Sequence, residues 1–521
     1  MDAADLDYRA RTQSGCIPPH LVSRLLELGH AEKVEFWASH GEWFCAREWA
    51  QLLGEQGRRA EALETLAPYL ATGWWTATRT TAELLESWGR ADEAIVLTRA
   101  RMEAGHPLAL EYCARLLARH GRSDEAFTLL QPYIDDWSLA AALVDVAEGA
   151  GRDEEAVALL ADRIPDEHRC DTPWCCRGLD PDTAIGLLAT IRERQGCIDE
   201  AIALLRTRDA ISVNGRDQLA DLLARHDRTG ELRAYAVTEK LGYAAQRLAE
   251  LLEERGDVEG AIAVYRQAGD SSVRQGNMTV QLAHLLARRG RGDKAIEVMR
   301  ALADPPGGAE DWILHVLCTL YTDQGRPEDG LTCLDALKKR RGEEEWDLFW
   351  IRLPLMAACG RVDEAFERAR AHREGGTSYA APHIAELLAG AGRTEEAVAV
   401  LRPHAPANSH ELAGYLIDLG HVEDAVTVLH QDKPRPPQPP TTAWSENPPF
   451  RRSVWRNPRA VRPVNLDRVT SGPALSGLLD GMTGIETGGP AGCRSAPPLL
   501  SGDGVNAQLG SNPVGGVGTA S

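Results

Sequence analysis

The chain has 521 residues, 43% of them apolar and 6% aromatic, enough for a large folded body, and its 57 basic and 77 acidic residues give a formal charge of −20. That balance argues against a general nucleic-acid binder, which needs a basic footprint, and against docking on anionic membranes. No apolar run approaches the roughly 20 residues of a membrane-spanning helix, and the excess of Arg (51) over Lys (6) points to a GC-rich gene, not to a function.

Residues 1–19 form a leader that ends at Pro18-Pro19 and is expected to be poorly ordered. Met1-Asp2-Ala3-Ala4-Asp5 is acidic and no apolar core follows it, so it does not read as a secretory signal. Eleven Cys without regular pairing fit reduced thiols, and the expected compartment is cytoplasmic.

From residue 20 to 432 one phrase recurs: an L-A-x-x-L run, a turn residue, Arg, two residues, Glu-Ala and a second apolar run. The turn residues are Gly29, Gly57, Gly89, Gly121, Gly151, Gly196, Asp227, Gly256, Gly290, Gly325, Gly360, Gly392 and Gly420. These thirteen anchors are spaced by about 33 residues on average, the period of a helix-pair solenoid. Apolar residues eight, seven and four before an anchor, such as Leu248, Ala249 and Leu252, share one helical face. The anchor supplies the left-handed conformation that ends the helix. Acidic residues then fall in the first turn of a second helix, where the helix dipole favours them.

Five residues after the anchor, ten copies carry Ala; the exceptions are Val34, Leu232 and Gly330. A small side chain there lets two helices approach closely. No single hairpin can bury both of its faces, so stability must come from stacking neighbours. The predicted fold is therefore all-α: a solenoid of about thirteen helical hairpins. On this register Ala261→Asp is expected to disrupt the array and Glu253→Gln to be innocuous.

The spacing between Gly151 and Gly196 is 45 residues and holds an insertion at about 165–182. Within it His168, Cys170, Cys175 and Cys176 are zinc-type ligands. H-x-C-x4-C-C is not a C-x-x-C pair, however, and adjacent cysteines rarely reach one ion. Loop thiols are the expected reading and structural zinc the weaker one, so no metal is assigned.

After Asp432 the run Lys433-Pro434-Arg435-Pro436-Pro437-Gln438-Pro439-Pro440 breaks any helix and reads as extended polyproline. Residues 433–521 hold 13 Gly, 14 Pro, 9 basic and 5 acidic residues. This composition predicts a disordered tail of charge +4 and leaves the remainder of the chain at −24. From about Phe450 onward a GC-rich gene read out of frame would give the same composition.

There is no phosphate-binding loop, no G-x-S-x-G elbow and no H-E-x-x-H helix in the sequence. No catalytic residue and no cofactor is assigned.

The pattern resembles the tetratricopeptide repeat family, with a small residue within the first helix, Gly at the turn and Ala in the second helix; Leu248 to Ala268 carries it fully, including Tyr265. As a whole the chain resembles long repeat proteins of high-GC actinobacteria, generally without assigned activity. The resemblance implies a superhelix whose concave face, made by first helices, binds protein or peptide. It places exposed groove positions thirteen, ten and six residues before each anchor. Those offsets give Phe44, Arg47, Gln51, Arg79, Arg115, Tyr243, Gln246, Trp312, His315, Trp350 and Tyr379 as candidate partner-binding residues. Trp43, Trp74 and Trp75 are candidates to flank the groove, while the offsets of Trp37 and Trp49 place them in the core. The Lys/Asn set with which some members grip a C-terminal carboxylate is absent.

The expected role is a non-catalytic scaffold or adaptor. Its expected partners are proteins or peptides with basic segments, not nucleic acid or membrane. A sensor subunit acting with a separate DNA-binding or signalling partner is the alternative. A metal-dependent or toroidal helical enzyme is the more remote one.

Overall fold

The register of small and apolar residues dictates pairs of short helices, and a computed structural model contains them. It describes residues 2–164, 179–208, 212–213, 216–239, 241–271, 275–303, 311–342 and 344–431. All of these belong to one compact unit, Met1–Arg462. Most of the insertion (165–178) and the tail from 432 lie outside the described residues.

Helix α1 (Ala3–Thr12) precedes the hairpins. The first five hairpins are α2 (Pro19–Glu27) with α3 (Ala31–Ser39), α4 (Trp43–Glu55) with α5 (Arg59–Ala71), α6 (Trp75–Ser87) with α7 (Ala91–Glu103), α8 (Pro107–Arg119) with α9 (Ser123–Leu130), and α10 (Trp137–Ala150) with α11 (Asp153–Ala161). Four more are α12 (Pro181–Arg194) with α13 (Ile198–Leu205), α14 (Gln218–Arg225) with α15 (Thr229–Thr238), α16 (Tyr243–Glu254) with α17 (Val258–Ser271), and α18 (Gln275–Arg288) with α19 (Gly292–Ala303). The last four are α20 (Asp311–Asp323) with α21 (Pro327–Arg341), α22 (Trp346–Ala358) with α23 (Val362–Ala371), α24 (Ala381–Gly390) with α25 (Thr394–Leu401), and α26 (Ser409–Asp418) with α27 (Val422–Leu429). Two-residue strands, Ser212–Val213 and Arg216–Asp217, pair antiparallel just before α14.

The thirteen hairpins are the thirteen sequence copies. Every Gly anchor has positive φ, and Asp227 takes the same left-handed conformation at φ 58. The position five after the anchor is buried in all thirteen, with no exposed surface on Ala62, Ala94, Ala261 or Ala425. Gly330 is the informative exception, since a Cβ there would lie 2.9 Å from Leu355 and 3.2 Å from the Tyr321 side chain. Large neighbours occupy the space that Ala fills elsewhere.

The Arg after the anchor has a role beyond the reach of the helix dipole. It grips the acid three residues on, as Arg90 does Glu93 (2.6 and 2.7 Å) and Arg361 does Glu364 (2.8 and 2.6 Å). In several copies it also reaches the preceding hairpin, as Arg393 does Asp363 (2.7 Å) and Arg326 does Asp293 (2.6 Å). A second ladder runs along the ends of first helices. Arg119 and His120 meet Glu86, Arg225 and His226 meet Glu193, and Arg288 and Arg289 meet Glu253. Glu253 therefore joins two hairpins and is not the idle surface residue expected from sequence.

The leader also departs from expectation. Asp2 caps α1 by accepting from Asp5 N (2.8 Å), and Leu6 is buried, so the helix has both a start signal and a packing face.

The ends of the array meet. Helix α2 packs on α26, a contact of the kind that successive first helices make elsewhere. Leu21 and Leu25 share one contiguous core with Leu416 and Ile417. Arg24 donates to Asp418 (2.8 Å), Lys33 pairs with Glu423, and His410 Nε2 lies 3.2 Å from the Gln13 carbonyl oxygen. The Arg24 and Lys33 pairs are exposed, and pairs of that kind are screened by water and contribute little. Burial of the leucines stabilises the seam more than these pairs do.

Glu42, only 5% exposed, is the polar centre of this seam. It accepts from Arg9 Nη2 (3.0 Å) and Ile17 N (3.2 Å), and His430 Nε2 is 2.9 Å away. Burial pushes its carboxyl up, but contact with His430, the Arg9 charge and the Ile17 N–H outweigh that and hold it below the ordinary 4.5.

Ala261→Asp places an unpaired charge in a sealed helix contact and should cost about 3 kcal/mol or more in urea unfolding; a change near zero would refute the register. Gly414→Trp should pry the seam apart, because a Cβ there already sits 3.6 Å from Leu21. Hydrogen exchange should rise in α2 and α26 and stay unchanged in α6 to α11. Because Glu42 is depressed in the fold, its contribution is complete above pH 4.5 and is lost as pH falls through the lower folded value. Unfolding free energies measured between pH 6 and about pH 3 should therefore fall more steeply for the native chain than for Glu42→Gln.

Candidate partner-binding face

The groove offsets place residues on the first helices, and their fate differs along the array. Up to the eighth hairpin, positions ten and six before an anchor are four apart on one helix, and in three copies their side chains meet. Arg79 donates to Glu83 (2.8 Å), Arg115 to Glu111 (3.1 Å) and Gln246 to Glu250 (2.9 Å). Arg115 also bridges to Asp145 on the next first helix (2.5 Å). Gln51 is exposed and reaches Glu55 (3.4 Å), and Arg47 pairs with Glu48 (2.7 Å). Tyr243 is half-buried at the start of α16. Phe44 is a correction: it is 7% exposed and part of the core, with the Arg47 guanidinium 5.7 Å from its ring centre.

The tryptophans invert the expectation. Trp43, Trp74 and Trp75 are buried. Trp43 stacks edge-on against Tyr69 (5.1 Å) and Trp74 (4.8 Å), and Trp75 lies on His106 (5.2 Å). Trp43 and Trp74 seal the joint between the second and third hairpins, Trp75 that between the third and fourth. Trp37 and Trp49 pack on the core yet stay partly exposed.

In the last third, ring side chains on consecutive first helices form a ladder. His315 of α20 lies 5.1 Å from Trp350 of α22, Trp350 lies 4.9 Å from His383 of α24, and Tyr379 lies 6.0 Å from His383. Three of these four residues are among the sequence candidates. His383 was missed because it sits nine before its anchor, one residue out of phase, at a helix whose second residue is Pro382. Tyr379 O–H donates to Asp347 Oδ1 (2.5 Å) and Trp346 Nε1–H to His383 Nδ1 (3.4 Å), so the rings are held at their polar ends. His315 and Tyr379 are exposed and Trp350 half-buried. Trp312, also half-buried, faces Gly276, where a Cβ would come within 3.5 Å of the indole.

Beneath the ladder α22 is fixed by a buried cation. Arg352, 1% exposed, is gripped by Glu344 (2.7 and 3.0 Å) and Asp335 (2.7 Å). His372 Nε2 lies 3.0 Å from the Glu344 carbonyl oxygen and its ring stacks on Phe349 (4.9 Å). Taking a guanidinium out of water is costly unless it is fully paired, so this grip sets the rotation of α22 and with it the position of Trp350. The surface so built suits stacking and hydrogen bonding to a peptide.

Among the described residues no group of three or more His, Cys, Asp or Glu could hold a metal ion, and no helix is long and apolar enough to cross a membrane. His168, Cys170, Cys175 and Cys176 lie outside the described residues.

The hairpins with their left-handed anchors and sealed small residues define a helical-repeat solenoid. Residues 242–340, from α16 to α21, match the tetratricopeptide repeat family. No curated protein matches it. Among solved structures it is similar to Naa15/Naa10 bound to HypK-THB, at 15% identity over 79% of this chain and 74% of that one, with a TM-score of 0.35. It is also similar to the APC/C hetero-tetramer Cut9-Hcn1, at 12% identity over 70% and 75%, with a TM-score of 0.28. The repeat class is that of protein-interaction scaffolds.

Proposed function

We propose that the array is a non-catalytic scaffold that holds an extended segment of a partner protein across α20, α22 and α24. The observation that carries this reading is the ring ladder His315–Trp350–His383–Tyr379, which spans three successive hairpins and leaves ring surface open to solvent. Large rings with polar ends are the side chains from which binding anchors are built, because they bury much area at little entropic cost. The first half of the face is a weaker candidate, since its charged groups satisfy one another along each helix. The charge of −24 outside the tail favours a partner segment bearing Lys or Arg, drawn in by long-range attraction. Asp347, beside Tyr379, is an acceptor already in place for such a residue.

The reading is tested by selecting binders to the full chain from a displayed random-peptide library. Selected peptides should be enriched in Lys and Arg and should bind less tightly as salt rises. Trp350→Ala should weaken them about 30-fold, the loss of an anchor contributing about 2 kcal/mol. Arg79→Gln, in the self-paired half, should not. Peptides that bind Trp350→Ala as well as the native chain would refute the assignment.

A further inference from the structure

The seam brings the point at which the chain leaves α27 against the first two hairpins. His430 lies 5.4 Å from the Trp37 ring and 2.9 Å from the Glu42 carboxylate. Between those two contacts in sequence, Ala38, Ser39 and Gly41 form part of the wall of a pocket of about 560 Å3 between α3 and α5. Wall residues of the pocket thus neighbour, in sequence, the two residues that touch His430, and one residue, Asp432, separates Gln431 from the proline-rich run.

The lining has a definite chemistry. Three carboxylates, Glu35, Glu61 and Glu64, face one guanidinium, Arg58, which is already engaged by Glu61 through two hydrogen bonds (2.8 and 2.5 Å). Trp49, Pro68 and Tyr69 supply flat apolar surface. Tyr69 is 5% exposed, and its hydroxyl has no hydrogen-bond partner among the described residues. A ligand for this site would offer cations and rings that stack on an indole.

We propose that residues 433–440 of this chain bind back into the pocket between α3 and α5 as an intramolecular polyproline ligand. Lys433-Pro434-Arg435-Pro436-Pro437-Gln438-Pro439-Pro440 brings two cations to a lining with two uncompensated carboxylates. Its five prolyl rings are pre-set in an extended conformation, so little chain entropy is lost on docking. Polyproline makes no internal hydrogen bonds, so its carbonyls are free to accept from donors of the pocket lining. At about 3.1 Å per residue the eight residues reach about 25 Å. The short tether gives an effective concentration in the millimolar range, so weak intrinsic affinity suffices and the chain's own segment outcompetes the same segment of a second copy. The pocket lies in a different part of the array from the α20–α24 face, so its occupancy does not depend on the role of that face.

The test uses the full chain carrying Pro437→p-benzoylphenylalanine, irradiated as a mixture of 14N- and 15N-labelled molecules and mapped by mass spectrometry. Cross-links within one molecule to residues 35–72 are expected. They should be lost in Lys433→Glu/Arg435→Glu and recovered when Glu35→Lys/Glu64→Lys is added. Because the first pair of substitutions lies in the tail, misfolding of the repeats cannot mimic the loss. Cross-links that join two molecules, that map to α20–α24, or that do not exceed the level of the charge-reversed tail would each overturn the proposal.

Discussion

The close approach of two helices at one small residue per repeat is the constraint on which the molecule depends. At the fifth position after each turn the side chain is sealed from solvent in every hairpin, whether it is Ala, Val, Leu or Gly. Close packing leaves no room for a charge or a larger ring there, and the apolar faces of both helices are turned toward the same neighbours. Each hairpin is then a slab with two apolar sides, which only stacking can cover. The buried leucines on those sides contribute roughly 1.5–3 kcal/mol each, far more than any of the exposed ion pairs between hairpins. Those pairs keep the stacking in phase: the Arg after one turn meets the acid of the preceding hairpin, so a slipped register would separate charges as well as misplace side chains.

A slab that stacks on both sides has no natural stopping point. The array ends by covering its last apolar side with its first, α26 against α2. This closure needs no atypical capping hairpin, and α1 and the leader add to it through Leu6, Arg9 and Ile17. Glu42 shows how a buried charge is tolerated at such a joint. Three groups from three different stretches of chain converge on one carboxylate, so its desolvation is offset only when all of them are in place. The same convergence brings the exit from α27 onto the first two hairpins, which an open array would have left remote from it.

Electrostatics divide the face of the first helices. Where positions ten and six before the turn carry opposite charges, the helix satisfies itself, as at Arg79 and Glu83, and presents a solvated surface with little to gain from a partner. Where position ten carries His315 or Trp350, rings meet across hairpins, His315 on Trp350 and Trp350 on His383. The buried Arg352 with Glu344 and Asp335 makes this half the more rigid platform, since rotating α22 would strip a guanidinium of its partners.

The sequence by itself determined the hairpins, their number, their boundaries to within a few residues and the buried small position, because each rests on contacts between residues close in the chain and on turn chemistry that only Gly, or Asp227 under strain, satisfies. The groove offsets also picked out His315, Trp350 and Tyr379, which the fold brings together with His383 in one ring ladder. Phe44 obeyed the same offset and yet lies in the core, and Trp43, Trp74 and Trp75 seal joints, because how far an offset turns toward solvent depends on the tilt between neighbouring hairpins. His383, one residue out of phase, entered the ladder for the same reason. The meeting of α2 with α26 was decided only in three dimensions. Curvature accumulates from small rotations at every interface, and no single repeat records their sum.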